Sequence, residues 1–160
     1  MHGANRTGRP FTGDFAGILL YRTLHRFGFA AKPESVAVND GLKLIGCSIT
    51  NAVKCLPPKN KPETDEVKRC NRYLVAELAG VRAGGAVLAL GAIAHRAVLL
   101  ALRVKAREFA FAHGAVHRVP SDFVLFDSYH CSRYNTQTRR LTPAMFESVF
   151  AAIANHINGP

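Results

Sequence analysis

Apolar positions in this chain fall into blocks whose spacing alternates between a helical and a strand period. From Asp14 to Phe27 they recur at Phe15, Ile18, Leu19, Leu24 and Phe27, a helical stripe that follows a Thr-Gly-Asp start and meets a stop at Gly28. Leu44-Ile45-Gly46-Cys47-Ser48-Ile49 predicts a short buried strand ending at Thr50-Asn51. The segment Leu56 to Pro62 is predicted to be irregular, because its prolines deny both a helix and a ladder their hydrogen bonds. A helical pattern resumes from about Glu63 to Leu78, with Asp65 and Glu66 in its first turn, where the dipole favours acids.

Beyond it, Ala86-Val87-Leu88-Ala89-Leu90 is apolar on both faces, as strands sandwiched between helices are. A helix over about Ile93 to Leu102 follows Gly91. Phe123-Val124-Leu125-Phe126 predicts a further strand, and Pro143 to His156 a closing helix with proline in its first turn. This alternation predicts an α/β fold, a three-layer α/β/α domain with a short, mostly parallel central sheet. Residues 1–160 are expected to form that single domain, since the chain is 160 residues long and 48% hydrophobic. No internal repeat or linker interrupts it.

Charge narrows the function. Lys and Arg number 21 against 11 Asp and Glu, a formal net charge of +10. The basic residues are dispersed, so a folded surface carries them, and a surplus of this size favours a polyanionic partner. The polar start carries no secretory signal, and no stretch approaches the roughly 20 apolar residues of a membrane span. The expectation is a cytoplasmic, monomeric protein. Its four cysteines are then expected to be free, catalytic or metal-bound rather than paired in disulfides.

Two polar loops could carry chemistry. Asn5 to Asp14 precedes the first helix, and Asp127-Ser128-Tyr129-His130-Cys131-Ser132-Arg133-Tyr134-Asn135-Thr136 follows the Phe123 strand. Ligands bind at such strand ends in open α/β sheets. Asp14 suits a helix cap and equally a catalytic carboxylate. Gly13 and its neighbours let backbone approach a ligand, and Phe11 suits a core or a stack on a flat heterocycle. A Cys131–His130 nucleophile pair is disfavoured, because adjacent side chains do not meet in the geometry it needs. Cys55 and Cys70 alone are a weak metal signal. His25 and His95 read as helix residues, while His113 and His117, beside a glycine turn, could touch DNA.

Taken together, the segments Gly3 to Asp14, Ile49 to Cys55 with Pro57 to Pro62, Cys70, Leu88-Ala89-Leu90-Gly91, and Asp127 to Thr136 resemble the type B, family 5 uracil-DNA glycosylases. The segments occur in family order from Gly3 to about Phe150. The resemblance implies a DNA repair enzyme that flips uracil, and other deaminated bases, out of DNA and hydrolyses the N-glycosidic bond. It implies that Phe11 stacks on the flipped base and that Asn51 reads the uracil edge. It makes His130 the group that stabilises the departing base anion. Asp14 would position water or stabilise the cationic sugar. Ser132, Arg133 and Asn135 would meet or brace the minor groove, with Arg9 on phosphate and Gly13 lining the base site. Cys55 and Cys70 would be two of the ligands of a structural [4Fe–4S] cluster.

Two departures qualify the match. Cys131 stands where the family usually has proline after the histidine. The segment that carries the other cluster cysteines, and a strand ending in a Gly-Leu-Ala-Pro-like turn, is expected before residue 1 and is not in this sequence. The first strand therefore reads as missing and the chain as N-terminally truncated, with a catalytically inactive DNA-binding remnant as the rival. A nucleotide- or phosphate-binding module is the more distant alternative, weakened by the lack of a GxGxxG or P-loop pattern.

Overall fold

The computed structural model describes residues 9–52 and 64–159, with side chains from 9 to 52 and from 71 to 159. Its elements are α1 (Phe15–Arg26), α2 (Thr64–Ala79), β1 (Gly85–Leu90), α3 (Ala92–Ala101), a 3-10 turn (Ala106–Glu108), β2 (Val116–His117), β3 (Phe123–Ser128), α4 (Arg133–Gln137) and α5 (Pro143–Asn158). The chain divides into two compact units. One joins residues up to Thr50 with Tyr129–Asn155, and the other joins Asn51–Ser128 with the last residues from His156. Among the described residues, no helix is long and apolar enough to cross a membrane.

The second unit holds the sheet, in the order β1-β3-β2. β1 and β3 run parallel, from Gly85 opposite Phe123 to Leu90 opposite Ser128, while β2 pairs antiparallel with β3. The sheet is therefore small and mixed. β2 escapes the hydrophobic pattern because it is two residues long, with Val116 exposed. Leu74 from α2, Ala97, Val98 and Leu99 from α3, and Phe123 and Leu125 from β3 make this unit's core. Asn71 crosses the same interior by donating its side-chain amide to the Ala97 carbonyl at 2.8 Å, which satisfies two buried polar groups at once.

In the first unit, α1 forms where expected but turns a different face inward. Ala16, Gly17, Leu20, Tyr21 and Leu24 are buried, whereas Phe15 and Ile18 are exposed. The stop at Gly28 is as expected: Gly28 takes a φ of 80°, and the Phe29 N–H reaches back to the Leu24 carbonyl at 2.7 Å. α5 presents Phe146, Val149, Phe150 and Ile153 at helical spacing. Phe150 meets Phe27, Phe29 and Phe146 with ring centroids 5.1–6.4 Å apart. The fully buried rings among them, Phe146 and Phe150, each contribute roughly 1.5–3 kcal/mol by leaving water.

The strand expected over 44–49 does not form. Only an isolated bridge joins Ala30 to Leu44. Gly46 takes a left-handed φ of 64° and Ile45 is exposed, so the apolar run has neither the backbone nor the burial of a strand.

Candidate active site

Polar side chains and one carboxylate set the path of the loop before α1. Arg9 donates to Ser35 Oγ and Asp40 Oδ1, each at 3.0 Å, and to the Val38 carbonyl at 2.6 Å. Buried Thr12 shares a 2.6 Å hydrogen bond with Ser35 Oγ, and the Gly13 N–H donates to the Ser35 carbonyl. Asp40 anchors the far side by accepting the Leu42, Val36 and Ala37 N–H groups. Those bonds, Leu42 first, together with Arg9, hold its carboxyl well below the usual carboxylate range. The loop is thus latched to residues 35–40.

That latch lets the loop carry unusual backbone. Phe11 sits at a φ of 59°, a conformation that costs a non-glycine residue on the order of 1 kcal/mol. The Tyr21 hydroxyl, wholly buried, fixes the turn by donating to the Pro10 carbonyl at 2.8 Å. Gly17 completes it from below: a Cβ there would overlap the Phe11 carbonyl oxygen. Asp14 then caps α1, with Oδ1 accepting the Gly17 N–H at 2.8 Å. An open cleft of about 630 Å³, lined by Asp14, Gly13, Ile18, Arg22, Ser35 and Val36 among others, adjoins the carboxylate.

The loop after β3 brings His130 to the same place. Its ring lies 5.7 Å from that of Phe11, tilted by 40°. Burial lowers the His130 pKa from its ordinary 6.5, against a smaller opposing pull from the negative charge of Asp14. The imidazole is therefore neutral at physiological pH. Asn135 donates its side-chain amide to the His130 carbonyl at 2.8 Å, and Ser132 caps α4 by accepting the Asn135 N–H at 3.3 Å. Both residues thus brace the histidine loop. His130, remote in the chain, joins Phe11 and Asp14 in one cluster: an aromatic face, a neutral imidazole and a carboxylate.

The family model of the uracil DNA glycosylase superfamily matches residues 1–154. This chain belongs to that superfamily. It is 47% identical over 148 residues to a type-5 uracil-DNA glycosylase of Thermus thermophilus, an alignment covering 92% of this chain and 67% of the relative. The type-5 enzyme of Pyrobaculum aerophilum is 47% identical over 141 residues, 88% of this chain and 61% of its own. That of Mycobacterium leprae is 43% identical over 151 residues, 93% of this chain and 66% of its own. The chain thus spans about two thirds or less of the length of these relatives.

The other residues that the sequence singles out are placed by the structure individually. Gly13 is exposed with a φ of 68°, consistent with its place in a tight loop. The Arg9 side chain is engaged inside its own loop by the latch described above. Arg133 is exposed, its guanidinium 5.7 Å from the centre of the Phe15 ring, which ties α4 to α1. Asn51 is exposed and belongs to the second unit. Cys55 lies outside the described residues. Cys70 falls on α2, with a side chain that is also outside them. The described cysteines, Cys47 and Cys131, are free. Cys131 is wholly buried beside His130, and burial pushes its thiol up to about 12, so it is no nucleophile.

Sequence reasoning missed two features. Gly17 was invisible because its need arises from a contact with Phe11, not from helix pattern. His95 and His117, read as an ordinary helix residue and a possible DNA contact, both point at the buried carboxylate of Asp127. Asp127, read as the start of the polar loop, lies inside β3 and is wholly buried.

Proposed function

We propose that this chain is the catalytic part of a uracil-DNA glycosylase, which hydrolyses the N-glycosidic bond of uracil flipped from DNA. The observation that carries the reading is the meeting of Phe11 and His130 beside Asp14. In it, the flipped base stacks on Phe11, whose left-handed backbone and latched loop hold the ring without the substrate's help. A half-buried, neutral His130 donates an N–H to a uracil carbonyl oxygen. Its hydrogen bond strengthens as negative charge moves onto the departing base, which is where preorganised donors lower a barrier most. Asp14 faces the sugar and bears the carboxylate that orients water or stabilises the cationic sugar. Asn51 is assigned to the uracil edge, and Arg133 with other exposed cations to phosphate.

Other deaminated bases are assigned to the same site, since extrusion costs least for mispaired bases. The iron–sulfur cluster implied by the family resemblance is assigned to Cys55 and Cys70. Such a cluster supplies structural bracing, and no step above runs through it.

A duplex carrying one uracil opposite guanine, treated with alkali after incubation, reads base release as strand cleavage. The expected result is cleavage by the native chain, reduced about 10²–10³-fold in His130→Ala. Undiminished cleavage by the variant sinks the role of His130. Salt-sensitive binding without any release identifies a DNA-binding remnant instead.

A further inference from the structure

The second unit contains a cluster that the glycosylase reading does not use. Asp127, wholly buried on β3, faces His95 from α3 and His117 from β2. His95 Nδ1 lies 2.9 Å from Asp127 Oδ1, and His117 Nε2 lies 2.9 Å from Asp127 Oδ2. The three ligand atoms all fall within 4.8 Å of one another.

The other nitrogen of His95 defines the chemistry. Nε2 sits 2.9 Å from the Phe109 carbonyl oxygen, which can only accept, so Nε2 carries a hydrogen. A neutral imidazole then turns the Nδ1 lone pair toward a carboxylate oxygen at hydrogen-bond distance. Two acceptors cannot rest so close without a positive centre between them. That centre is either a proton or a metal ion.

We propose that it is a divalent transition-metal site of the zinc class, with His95 Nδ1, His117 Nε2 and Asp127 as ligands. Four observations favour the metal. Two imidazole nitrogens and a carboxylate converge, which is the donor set of a metal centre. The Nε2–H bond to a backbone carbonyl is the outer contact that orients metal-bound histidines. The two-nitrogen, one-carboxylate set suits zinc-like ions better than calcium or magnesium. Asp127 forms ion pairs only with these two histidines among the described residues.

The walls fit as well. Phe111 meets His95 edge-on at 5.6 Å and Phe109 meets His117 at 5.9 Å, giving apolar cover. His117 remains 12% exposed, so water can reach an open fourth position from that side. The ion joins β2, β3 and α3 and so reinforces a strand of only two residues. The proposal stands independently of the glycosylase reading.

The test uses the full chain after dialysis against a chelator, titrated with Co²⁺ and then Zn²⁺. Native protein is expected to bind one Co²⁺ with d–d absorption but no thiolate charge-transfer band, and Zn²⁺ should displace it. His117→Ala should bind about 10-fold more weakly or worse. It retains every cysteine, so thiolate binding is common to both chains. Identical titrations of the two chains overturn the proposal. A second reading needs no variant: ¹H–¹⁵N spectra of the native histidines should show one equivalent of Zn²⁺ shifting the His95 Nδ1 resonance and leaving that nitrogen without a proton. Both ring nitrogens protonated and unmoved by Zn²⁺ would mean that a proton holds the centre, and that also overturns it.

Discussion

His130 and Cys131 are neighbours in sequence, one half-buried and the other wholly buried, and loss of water has different consequences for each. For His130, burial disfavours the imidazolium, so as pH falls below 6.5 the unfolded chain takes up a proton before the folded one does. Its contribution is neutral above that pH, and stability is lost through the window between 6.5 and the lower folded value. Urea denaturation across acidic pH should show a smaller acid loss in His130→Gln than in the native chain; superimposable pH dependences would contradict the burial argument. For Cys131 the same burial suppresses the thiolate, with a pKa of about 12. Native protein treated with iodoacetamide at neutral pH should leave Cys131 unmodified until denaturant is added, as read by peptide mass mapping.

At the scale of elements, the candidate site depends on helix beginnings. Asp14 caps α1 and Ser132 caps α4, so the helices orient the two loops that carry Phe11 and His130. Gly17 joins helix and loop in one contact. Gly17→Ala would be favourable by helix propensity alone. Here the added methyl must displace the Phe11 carbonyl, so the expected result is destabilisation by about 1–3 kcal/mol. Thermal unfolding measures it, and an unchanged or raised melting temperature would contradict the close approach. The missing 44–49 strand is the converse case. An apolar run with high strand propensity stays irregular because Gly46 is left-handed and only Leu44 finds a bridging partner.

Over the whole molecule, the formal net charge is +10. On the glycosylase reading, DNA affinity should fall steeply with salt, and the logarithmic slope counts the phosphates neutralised. Replacing exposed Arg133 with alanine should weaken binding across sequences and reduce that slope by about 1. Fluorescence anisotropy with duplexes of unrelated sequence measures both. An unchanged slope would place Arg133 off the phosphate path, leaving its contact with Phe15 as its role.

Local pattern by itself determined α1, β1, α3, β3 and α5 to within a few residues, because apolar periodicity, caps and proline or glycine stops act over short distances. It also singled out both polar loops, since their residue types suit chemistry better than a core. Tertiary structure decided what those residues face. The buried side of α1, the loss of the 44–49 strand and the antiparallel β2 each depend on partners remote in the chain. So do the latch of Arg9 on Asp40, the space that only Gly17 allows, and the convergence of His95 and His117 on Asp127. The physical reason is common to all of them: a side chain's own preferences set its local backbone, while burial and hydrogen-bond satisfaction are settled by whichever distant groups fill the remaining space.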